Sequence, residues 1–245
     1  MSSSLHGPTK AANLDAWNAN SSYWDGVLGD DGNDFFQQLI LPGVRELIGG
    51  LKQGDRVLDL GTGNGMIARD LARDGIEVVA TDYSAGQLEL ASIRASKNGK
   101  HIKFQPLDLM DVEDLDKFAK EHTGEGRVVF VNLHPCFHKP AGHRVMELYE
   151  DPMDGVQKQI QWIKVMRYLD IGETQSEALR GQPQPLMWFH RPIHALLNPF
   201  AAASLCLKEV REPSFADALK PGEIQSYHNY PQIPMLFTFM LTKVT

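Results

Sequence analysis

Apolar positions along the chain recur with two periods, one typical of buried strands and one typical of amphipathic helices. Val57–Leu60 and Ile76–Ala80 are short runs rich in branched apolar residues, which predicts a strand at each. Between them, Ile67, Ala68 and Leu71 recur at helical spacing. Further strands are predicted at Ile102–Gln105, Val128–Leu133, Leu205–Val210 and Met235–Val244. Strands that alternate with helices are typical of an α/β fold with a parallel sheet.

A glycine-rich turn joins the first predicted strand to the helix that follows it. It reads Asp-Leu-Gly-Thr-Gly-Asn-Gly from Asp59 and contains Gly61, Gly63 and Gly65. Glycine allows a sharp turn and a close approach of the backbone to a ligand, because a Cβ would block that approach. The free N–H groups of the helix N-terminus would face a polar or anionic group. Alone, such a turn is also compatible with a loop that binds nothing.

The second predicted strand leads to Asp82, about 20 residues beyond the glycines, where nucleotide-binding βαβ units place an acidic residue that binds ribose hydroxyls. This position favours a ligand over a bare structural turn. A dinucleotide-binding sequence, G-x-G-x-x-G, would require glycine at position 66, which is Met66 in this chain. An NAD-dependent oxidoreductase is therefore disfavoured.

Three stretches, in order, resemble motifs of the class I S-adenosylmethionine-dependent methyltransferases: Asp59–Gly65, Asp82–Ser84 and Phe104–Leu109. The resemblance implies S-adenosylmethionine as the cofactor and an α/β, Rossmann-like, doubly wound and mostly parallel sheet. It implies that the cofactor is bound by Asp59, Gly61, Thr62, Gly63, Gly65, Asp82, Tyr83, Asp108 and Leu109.

The same resemblance assigns a role to each part of this set. The glycine loop would hold the methionine moiety, and Asp82 would bind both ribose hydroxyls. Tyr83 would lie against the adenine, and Asp108 would accept a hydrogen bond from the adenine amino group. The last two predicted strands, Leu205–Val210 and Met235–Val244, resemble the closing antiparallel hairpin of the family's sheet.

The chain departs from the family between the third and fifth strands. Only about 20 residues separate Asp108 from Arg127, too few for two helices and a strand of ordinary length. Val128–Leu133 is therefore interpreted as the fifth strand, with the fourth strand and its following helix absent. The alternative is that Val128–Leu133 fills the fourth-strand position. A deletion at about 108–127, or an error in the predicted coding sequence, would explain the short connection.

At 245 residues, the chain is predicted to contain a disordered tail at 1–12 and a single methyltransferase-like domain at 13–245. Residues 13–50 are predicted as a helical lid, and residues 139–190 as a substrate cap. The lid carries three large aromatic residues, each of which would alternatively pack against the core: Trp17, Tyr23 and Trp24. The cap is predicted to contain a loop at 172–185 and an amphipathic helix built on Val156, Ile160, Ile163 and Leu169.

Composition and net charge limit the classes of partner that the chain is expected to bind. The formal net charge is −7 and Lys and Arg do not cluster, which disfavours nucleic acid, because phosphate binding needs concentrated positive charge. No apolar stretch approaches membrane-spanning length, so no membrane partner is expected. The only cysteines, Cys136 and Cys206, form no disulfide framework and fit a reducing compartment, so a cytoplasmic location is expected. The sequence does not determine the oligomeric state.

Methyl transfer requires an aligned nucleophile and, where that nucleophile carries a proton, a base. Histidine is the natural base near neutral pH, and His134 and His190 lie where the fold should place the pocket. The commoner role for such a histidine is a helix cap or a hydrogen bond to the backbone. Cys136 and Arg191 are candidates for contacts to the substrate. The His-x-Cys-x-His string from His134 to His138 lacks a fourth ligand, which argues against a metal site.

The predicted function is therefore methyl transfer to an O, N or S atom of a small organic molecule. The aromatic N-terminus and the apolar cap predict a hydrophobic substrate, with ring-containing molecules among the candidates. A second class of function stays open, in which the chain binds the cofactor without methylating. It would then be recruited to another reaction, or be inactive because of the deletion at about 108–127.

Overall fold

The structure, a computed structural model, describes residues 8–97, 102–122, 124, 126–215, 220, 223 and 226–244. The α-helices of these residues are α1 (Pro8–Leu28), α2 (Leu41–Ile48), α3 (Met66–Arg73), α4 (Ala85–Lys97), α5 (Val112–Glu121) and α6 (Ile193–Ala202). The strands are β1 (Arg56–Leu60), β2 (Glu77–Asp82), β3 (Lys103–Pro106), β4 (Arg127–Leu133), β5 (Gly142–Glu150), β6 (Gln157–Val165), β7 (Glu173–Ser176), β8 (Leu186–Phe189), β9 (Leu205–Arg211) and β10 (Leu236–Lys243). A π-helix at Phe36–Ile40 precedes α2, and a 3-10 turn lies at Tyr227–Asn229. Within the described ranges, every helix is too short or too polar to span a bilayer.

The chain divides into two compact units. The first unit consists of Met1–Gln37, Gly49–Glu125 and Gln175–Met187. The second consists of Gln38–Ile48, Gly126–Thr174 and Trp188–Thr245. The division runs through the two-stranded ladder of β7 and β8. The single domain predicted over 13–245 stays a prediction.

A three-stranded parallel sheet in the order β1-β2-β3 forms the centre of the first unit. β1 and β3 each pair in parallel with β2, so the carboxyl ends of all three strands lie at the same edge of the sheet. Val78 and Ala80 of β2 are buried, as are Ala68 and Leu71 on α3. This is the Rossmann-like α/β arrangement that the sequence predicts, because each parallel pair is connected by a helix.

The connection between β3 and β4 is as short as the sequence predicts. Its described residues, 107–122, 124 and 126, contain one helix, α5, and no strand. β1 is an edge strand of the described parallel sheet, and its Leu58 and Leu60 are 40% and 50% exposed. Doubly wound sheets carry helices on both faces, which normally cover such residues. The exposure of these two leucines therefore fits the absence of a fourth strand and its following helix.

An antiparallel sheet in the order β4-β10-β9 forms the core of the second unit. Phe237, Phe239 and Leu241 of β10 are buried and pack against Phe130 of β4 and four residues of α6: Ile193, Leu196, Leu197 and Phe200. The ladder between β9 and β10 is the predicted closing antiparallel hairpin. β4 pairs antiparallel with β10, so Val128–Leu133 lies directly beside the closing hairpin.

The helix predicted within the cap is wrong. Gln157–Val165 forms strand β6, which pairs antiparallel with β5. Ile160 and Ile163 are three residues apart and fit a helical period, but a short apolar run of this kind is also compatible with a strand. Cross-strand partners, such as Val145 opposite Trp162, favour the strand and lie outside the segment that was predicted as a helix. Residues 172–185, predicted as a loop, contain the short strand β7.

The tail predicted to be disordered is helical in part. α1 begins at Pro8, so the prediction over residues 1–12 is wrong for residues 8–12, and residues 1–7 lie outside the described residues. Proline is well tolerated at the first helical position, because its missing N–H would have no intrahelical partner there. Lys10 also forms an ion pair with Asp108, a contact across 98 positions (108 − 10) that no local pattern reveals. The role of residues 13–50 as a lid stays a prediction.

Candidate functional site

The backbone conformation of the glycine loop leaves space beside it. Gly61, Gly63 and Gly65 have φ angles of 79°, 56° and 78°, in the left-handed region that favours glycine. A Cβ at Gly61 or Gly63 would meet no atom within 4 Å, whereas a Cβ at Gly65 would lie 3.1 Å from the Cβ of Ala91. The first two glycines therefore leave room for a ligand, and the third allows α4 to pack closely against the loop.

Hydrogen bonds fix this loop to the end of β2. The N–H groups of Gly61 and Thr62 both donate to the carbonyl of Thr81, at 2.9 and 2.8 Å. Thr62 Oγ1 donates to Asp59 Oδ2 at 2.6 Å. Burial raises the pKa of Asp59, although hydrogen bonds from Thr62 and from the backbone N–H of Ala68 oppose the shift. Asp59 therefore stabilises the loop and the first turn of α3 from within the protein.

Asp82 joins the loop to the start of α4. Its Oδ2 accepts from the N–H of Gly63 at 2.9 Å, and its Oδ1 accepts from the N–H of Ser84 at 2.8 Å. A carboxylate has about four lone-pair positions, so acceptor capacity for a ribose hydroxyl remains. Burial raises the pKa of Asp82, and the backbone hydrogen bonds from Ser84, Gly63 and Tyr83 oppose that rise.

The predicted adenine residues follow β2 and β3 at the same edge of the sheet. Asp82 pairs with Pro106 at the ends of these strands, which brings Tyr83 and Asp108 to neighbouring chain segments. Asp108 is buried, and its Oδ1 accepts from the N–H of Met110 at 2.9 Å. The side chains of Tyr83 and Leu109, at 41% and 43% exposure, offer apolar surface to a planar ring.

The residues of this site fit S-adenosylmethionine. The empty space at Gly61 and Gly63 permits close approach of the methionine moiety, and Asp82 supplies acceptors for hydroxyl groups. The cofactor has no phosphate, so the loop needs no neutralising Lys or Arg. These residues lie in the first unit, together with the other predicted cofactor residues: Asp59, Thr62, Gly65, Tyr83, Asp108 and Leu109.

The predicted lid residues lie on α1. The rings of Trp17 and Trp24 pack at 5.3 Å between centroids, and the Trp24 Nε1 is buried without a hydrogen-bond partner among the described residues. Tyr23 donates from its hydroxyl to the carbonyl of Arg180 at 2.5 Å. Asn20 exchanges two hydrogen bonds with the backbone of Gln184, at 2.8 and 2.9 Å. These contacts tie α1 to the segment 175–187 within the first unit.

The two predicted catalytic histidines of the second unit have different environments. His134 is buried, and its Nδ1 accepts from the N–H of Cys136 at 3.1 Å. Its proton therefore resides on Nε2, which donates to Glu212 Oε1 at 2.9 Å. Burial lowers the pKa of His134, although Glu212 opposes the shift. Both ring nitrogens of His134 are therefore engaged in hydrogen bonds.

Among the described residues, one ring nitrogen of His190 forms a hydrogen bond. Its Nε2 lies 2.7 Å from the carbonyl of Tyr168 and must donate to it, so Nδ1 is the unprotonated nitrogen of the neutral ring. The Tyr168 hydroxyl accepts from the N–H of Ile193 at 2.7 Å, and its pKa is raised by burial and further by the neighbouring Cys136 thiol. Arg191 is exposed, and its Nη1 donates to the carbonyl of His190 at 3.0 Å. The second unit thus brings His190, Cys136 and Arg191 to one neighbourhood around Tyr168.

His138 ends the His-x-Cys-x-His string of the second unit. Among the described residues, no three His, Cys, Asp or Glu side chains group as metal ligands. His138 is buried, and its Nε2 lies 2.8 Å from the Tyr227 hydroxyl. Burial lowers the pKa of His138 to about 4, so it is a neutral hydrogen-bonding group at neutral pH.

Solved structures of other proteins share the fold of this chain. A S-adenosylmethionine-dependent methyltransferase from Mesorhizobium loti superposes with a TM-score of 0.55 at 20% identity, covering 88% of this chain and 100% of that one. A second, from Listeria monocytogenes and described as a putative enzyme of this kind, gives a TM-score of 0.51 at 19% identity, covering 98% and 100%. At these identities the likeness establishes the fold, and the predicted fold class is confirmed.

The family comparison decides the type of domain. A family model described as a methyltransferase domain matches residues 57–147, which include β1, the glycine loop, Asp82 and Asp108. Over residues 57–147, this chain is therefore similar to a methyltransferase domain. The resemblance stated from the sequence is therefore confirmed.

Curated relatives of this methyltransferase domain match over a limited length. The ubiquinone biosynthesis O-methyltransferase of Alkalilimnicola ehrlichii is 32% identical over 74 residues, which is 30% of this chain and 30% of that protein. The protein of the same name from Escherichia coli is 31% identical over 86 residues, or 35% of this chain and 33% of that protein. The chain therefore matches about a third of the length of these relatives.

Several residues of the methyltransferase domain and the second unit were missed from the sequence. Lys10 lay in the segment predicted to be disordered, and no local pattern connects it to Asp108. Glu212 lies 78 positions from its partner His134, and Tyr168 lies 22 positions from His190. A Gly-rich turn is visible in a sequence because it is local, whereas these pairs form only after the chain has folded.

Proposed function

We propose that this chain binds S-adenosylmethionine at the glycine loop and transfers its methyl group to an O, N or S atom of a small hydrophobic organic molecule. The observation that carries the proposal is an open, left-handed glycine loop hydrogen-bonded to the carboxylate of Asp82. The names of the curated relatives favour oxygen as the acceptor atom. The aromatic pair on α1, Trp17 and Trp24, favours a substrate with apolar surface.

The predicted cofactor residues of the first unit bind different parts of the cofactor in this proposal. When bound, the cofactor supplies a methyl group on a positively charged sulfur. Gly61 and Gly63 allow the backbone to approach the methionine moiety, and Asp82 accepts hydrogen bonds from the ribose hydroxyls. Tyr83 packs on the adenine, while Asp108 accepts from its amino group.

His190 is the better candidate for the base. A hydroxyl nucleophile forms its bond to the methyl carbon as the bond from that carbon to sulfur breaks, and the hydroxyl proton must leave. The Nδ1 of His190 can accept this proton, because the Tyr168 carbonyl holds the other ring proton on Nε2. His134 cannot do so without losing the hydrogen bond from Cys136.

The two histidines are expected to respond differently to substitution. His190→Ala should lower turnover about a hundredfold or more, the usual contribution of a general base, and should lower the melting temperature only modestly, through the lost hydrogen bond to the Tyr168 carbonyl. His134→Ala should lower the free energy of unfolding by about 2 kcal/mol, because it removes a buried side chain and leaves the N–H of Cys136 without its acceptor. Thermal unfolding and methyl-transfer assays on a panel of phenols separate the two effects.

The exposed His143 provides the matched control. His143→Ala should change neither the melting temperature nor turnover. If the wild type methylates members of the panel and His190→Ala does so at the same rate, His190 is not the general base.

Calorimetric titration with S-adenosylhomocysteine tests the proposed function directly, with NAD as the control ligand. Micromolar binding of S-adenosylhomocysteine and none of NAD supports the cofactor assignment. A folded protein that binds neither ligand would contradict it, since the first unit would then lack a working site.

A cofactor-binding protein that does not methylate is the second candidate function. The observation that favours it is the short connection after β3, together with the exposure of Leu58 and Leu60 on the edge strand β1. Binding of S-adenosylhomocysteine without turnover of phenols, amines or thiols would support this candidate. Sequencing the transcript across the codons for residues 108–127 tests the coding error, because a continuous transcript contradicts it.

A further inference from the structure

Lys10, in the first turn of α1, contacts two of the predicted adenine residues at once. Its ammonium forms an ion pair with Asp108 Oδ2. The same Nζ lies 5.6 Å from the centre of the Tyr83 ring, within reach of a cation–π contact. The hydrogen bond to Asp108 raises the pKa of Lys10, so the ammonium stays charged throughout the neutral range.

These contacts use the groups that an adenine ring would need. Asp108 Oδ1 already accepts from the N–H of Met110 at 2.9 Å, and its Oδ2 is taken by Lys10. The ammonium lies over the Tyr83 face on which a planar ring would pack. An adenine ring and the Lys10 side chain therefore compete for the same carboxylate and the same aromatic surface.

We propose that Lys10 occupies the adenine subsite and must leave it before the cofactor binds, so that the first turn of α1 acts as a gate. This inference rests on the proposed function, which assigns Asp108 and Tyr83 to the adenine. It adds a residue that controls access to the site and that contributes no contact to the bound cofactor.

The anchoring of α1 allows its first turn to move alone. Asn18 Oδ1 accepts from the Ser84 hydroxyl at 2.7 Å, and Asp25 forms an ion pair with Arg94. Both anchors lie C-terminal to Lys10, by at least two helical turns. α1 begins only two residues before Lys10, where helix ends fray. Release of Lys10 therefore does not require the rest of α1 to leave the first unit.

The exposure of the Lys10–Asp108 ion pair determines how much its removal should change the affinity for the cofactor. The side chains of Lys10 and Asp108 are 33% and 12% exposed, so solvent weakens their attraction. A ligand that binds only the open form loses affinity in proportion to the fraction of molecules that are closed. Removing the ion pair is therefore expected to tighten binding about two- to fivefold.

Calorimetric titration of S-adenosylhomocysteine into the full chain tests the gate with Lys10→Met, which keeps the apolar stem and removes the charge. Lys52→Met, at an exposed position before β1, is the matched control for the loss of one positive charge. We expect tighter binding by Lys10→Met, and binding by Lys52→Met equal to that of the wild type. We also expect added NaCl to strengthen binding by the wild type and to leave Lys10→Met unchanged, because salt screens the ion pair.

Each outcome bears on the inference. Equal or weaker binding by Lys10→Met, with the wild type binding in the micromolar range, overturns the gate and leaves the proposed function standing. Binding by Lys10→Met alone supports both the gate and the function. Absence of binding by both proteins, when circular dichroism shows them folded, overturns the proposed function and the gate with it.

Discussion

Replacing Asp82 by Ala is expected to abolish measurable binding of S-adenosylhomocysteine. Two ribose hydroxyls would lose a charged acceptor, and hydrogen bonds to charged groups contribute about 1.5–3 kcal/mol each. The dissociation constant should therefore rise at least about a hundredfold. The substitution also leaves the N–H groups of Gly63 and Ser84 without their acceptor, so a moderate fall in melting temperature should accompany the loss.

Asp82→Ala also removes an acceptor from backbone N–H groups, and a control variant is needed for that loss. Asp55 Oδ2 accepts from the N–H of Lys52 at 2.8 Å, at the end of β1 opposite to the glycine loop. Ligands of parallel α/β sheets bind at the carboxyl ends of the strands, so Asp55→Ala should lower stability slightly and leave binding unchanged. Wild-type affinity in a folded Asp82→Ala protein would remove Asp82 from the cofactor site.

Replacing Gly63 by Ala is expected to weaken binding about ten- to hundredfold, because an added methyl group in a closely fitted site costs about 1–3 kcal/mol. No protein atom lies within 4 Å of the new Cβ, so the protein itself has room for it. The φ of 56° adds a strain of about 1–2 kcal/mol to the folded state. Titration calorimetry and thermal unfolding measure the two effects separately.

Gly54 provides a closely matched control for this strain. Its φ is 88°, and a Cβ there would also meet no atom within 4 Å. Gly54 lies in the turn before β1, where its N–H donates to the carbonyl of Gly75. Gly54→Ala should therefore lose similar stability and keep full affinity. An equal loss of affinity in both variants would mean that strain, and not the filled space at Gly63, weakens binding.

The absent strand affects which of the two candidate functions holds. The parallel sheet of the first unit ends at β1, which leaves Leu58 and Leu60 exposed. The glycine loop and Asp82 nevertheless keep their hydrogen bonds, since these depend on β1 and β2 alone. We therefore expect the chain to keep cofactor binding. The short connection after β3 is expected to affect turnover more than binding.

The cap shows where prediction from the sequence failed. Val156, Ile160 and Ile163 are compatible with both a helical stripe and a strand, and no local signal separates the two. The antiparallel partner β5 supplies the backbone hydrogen bonds of β6 and lies outside that segment. Within the predicted cap, Gln175–Met187 belongs to the first unit, where the Arg180 carbonyl accepts a hydrogen bond from Tyr23 of α1.

The βαβ pattern, the glycine loop and Asp82 could all be predicted from the chain, because each depends on residues close together along it. The sequence also indicated the short connection after β3, which needs only a count of residues. Only the tertiary structure distinguished His190 from His134, because the roles of their ring nitrogens depend on Tyr168 and Glu212, which are distant in sequence. The contact of Lys10 with Asp108 was decided in the same way, since an ion pair across 98 positions (108 − 10) leaves no local pattern.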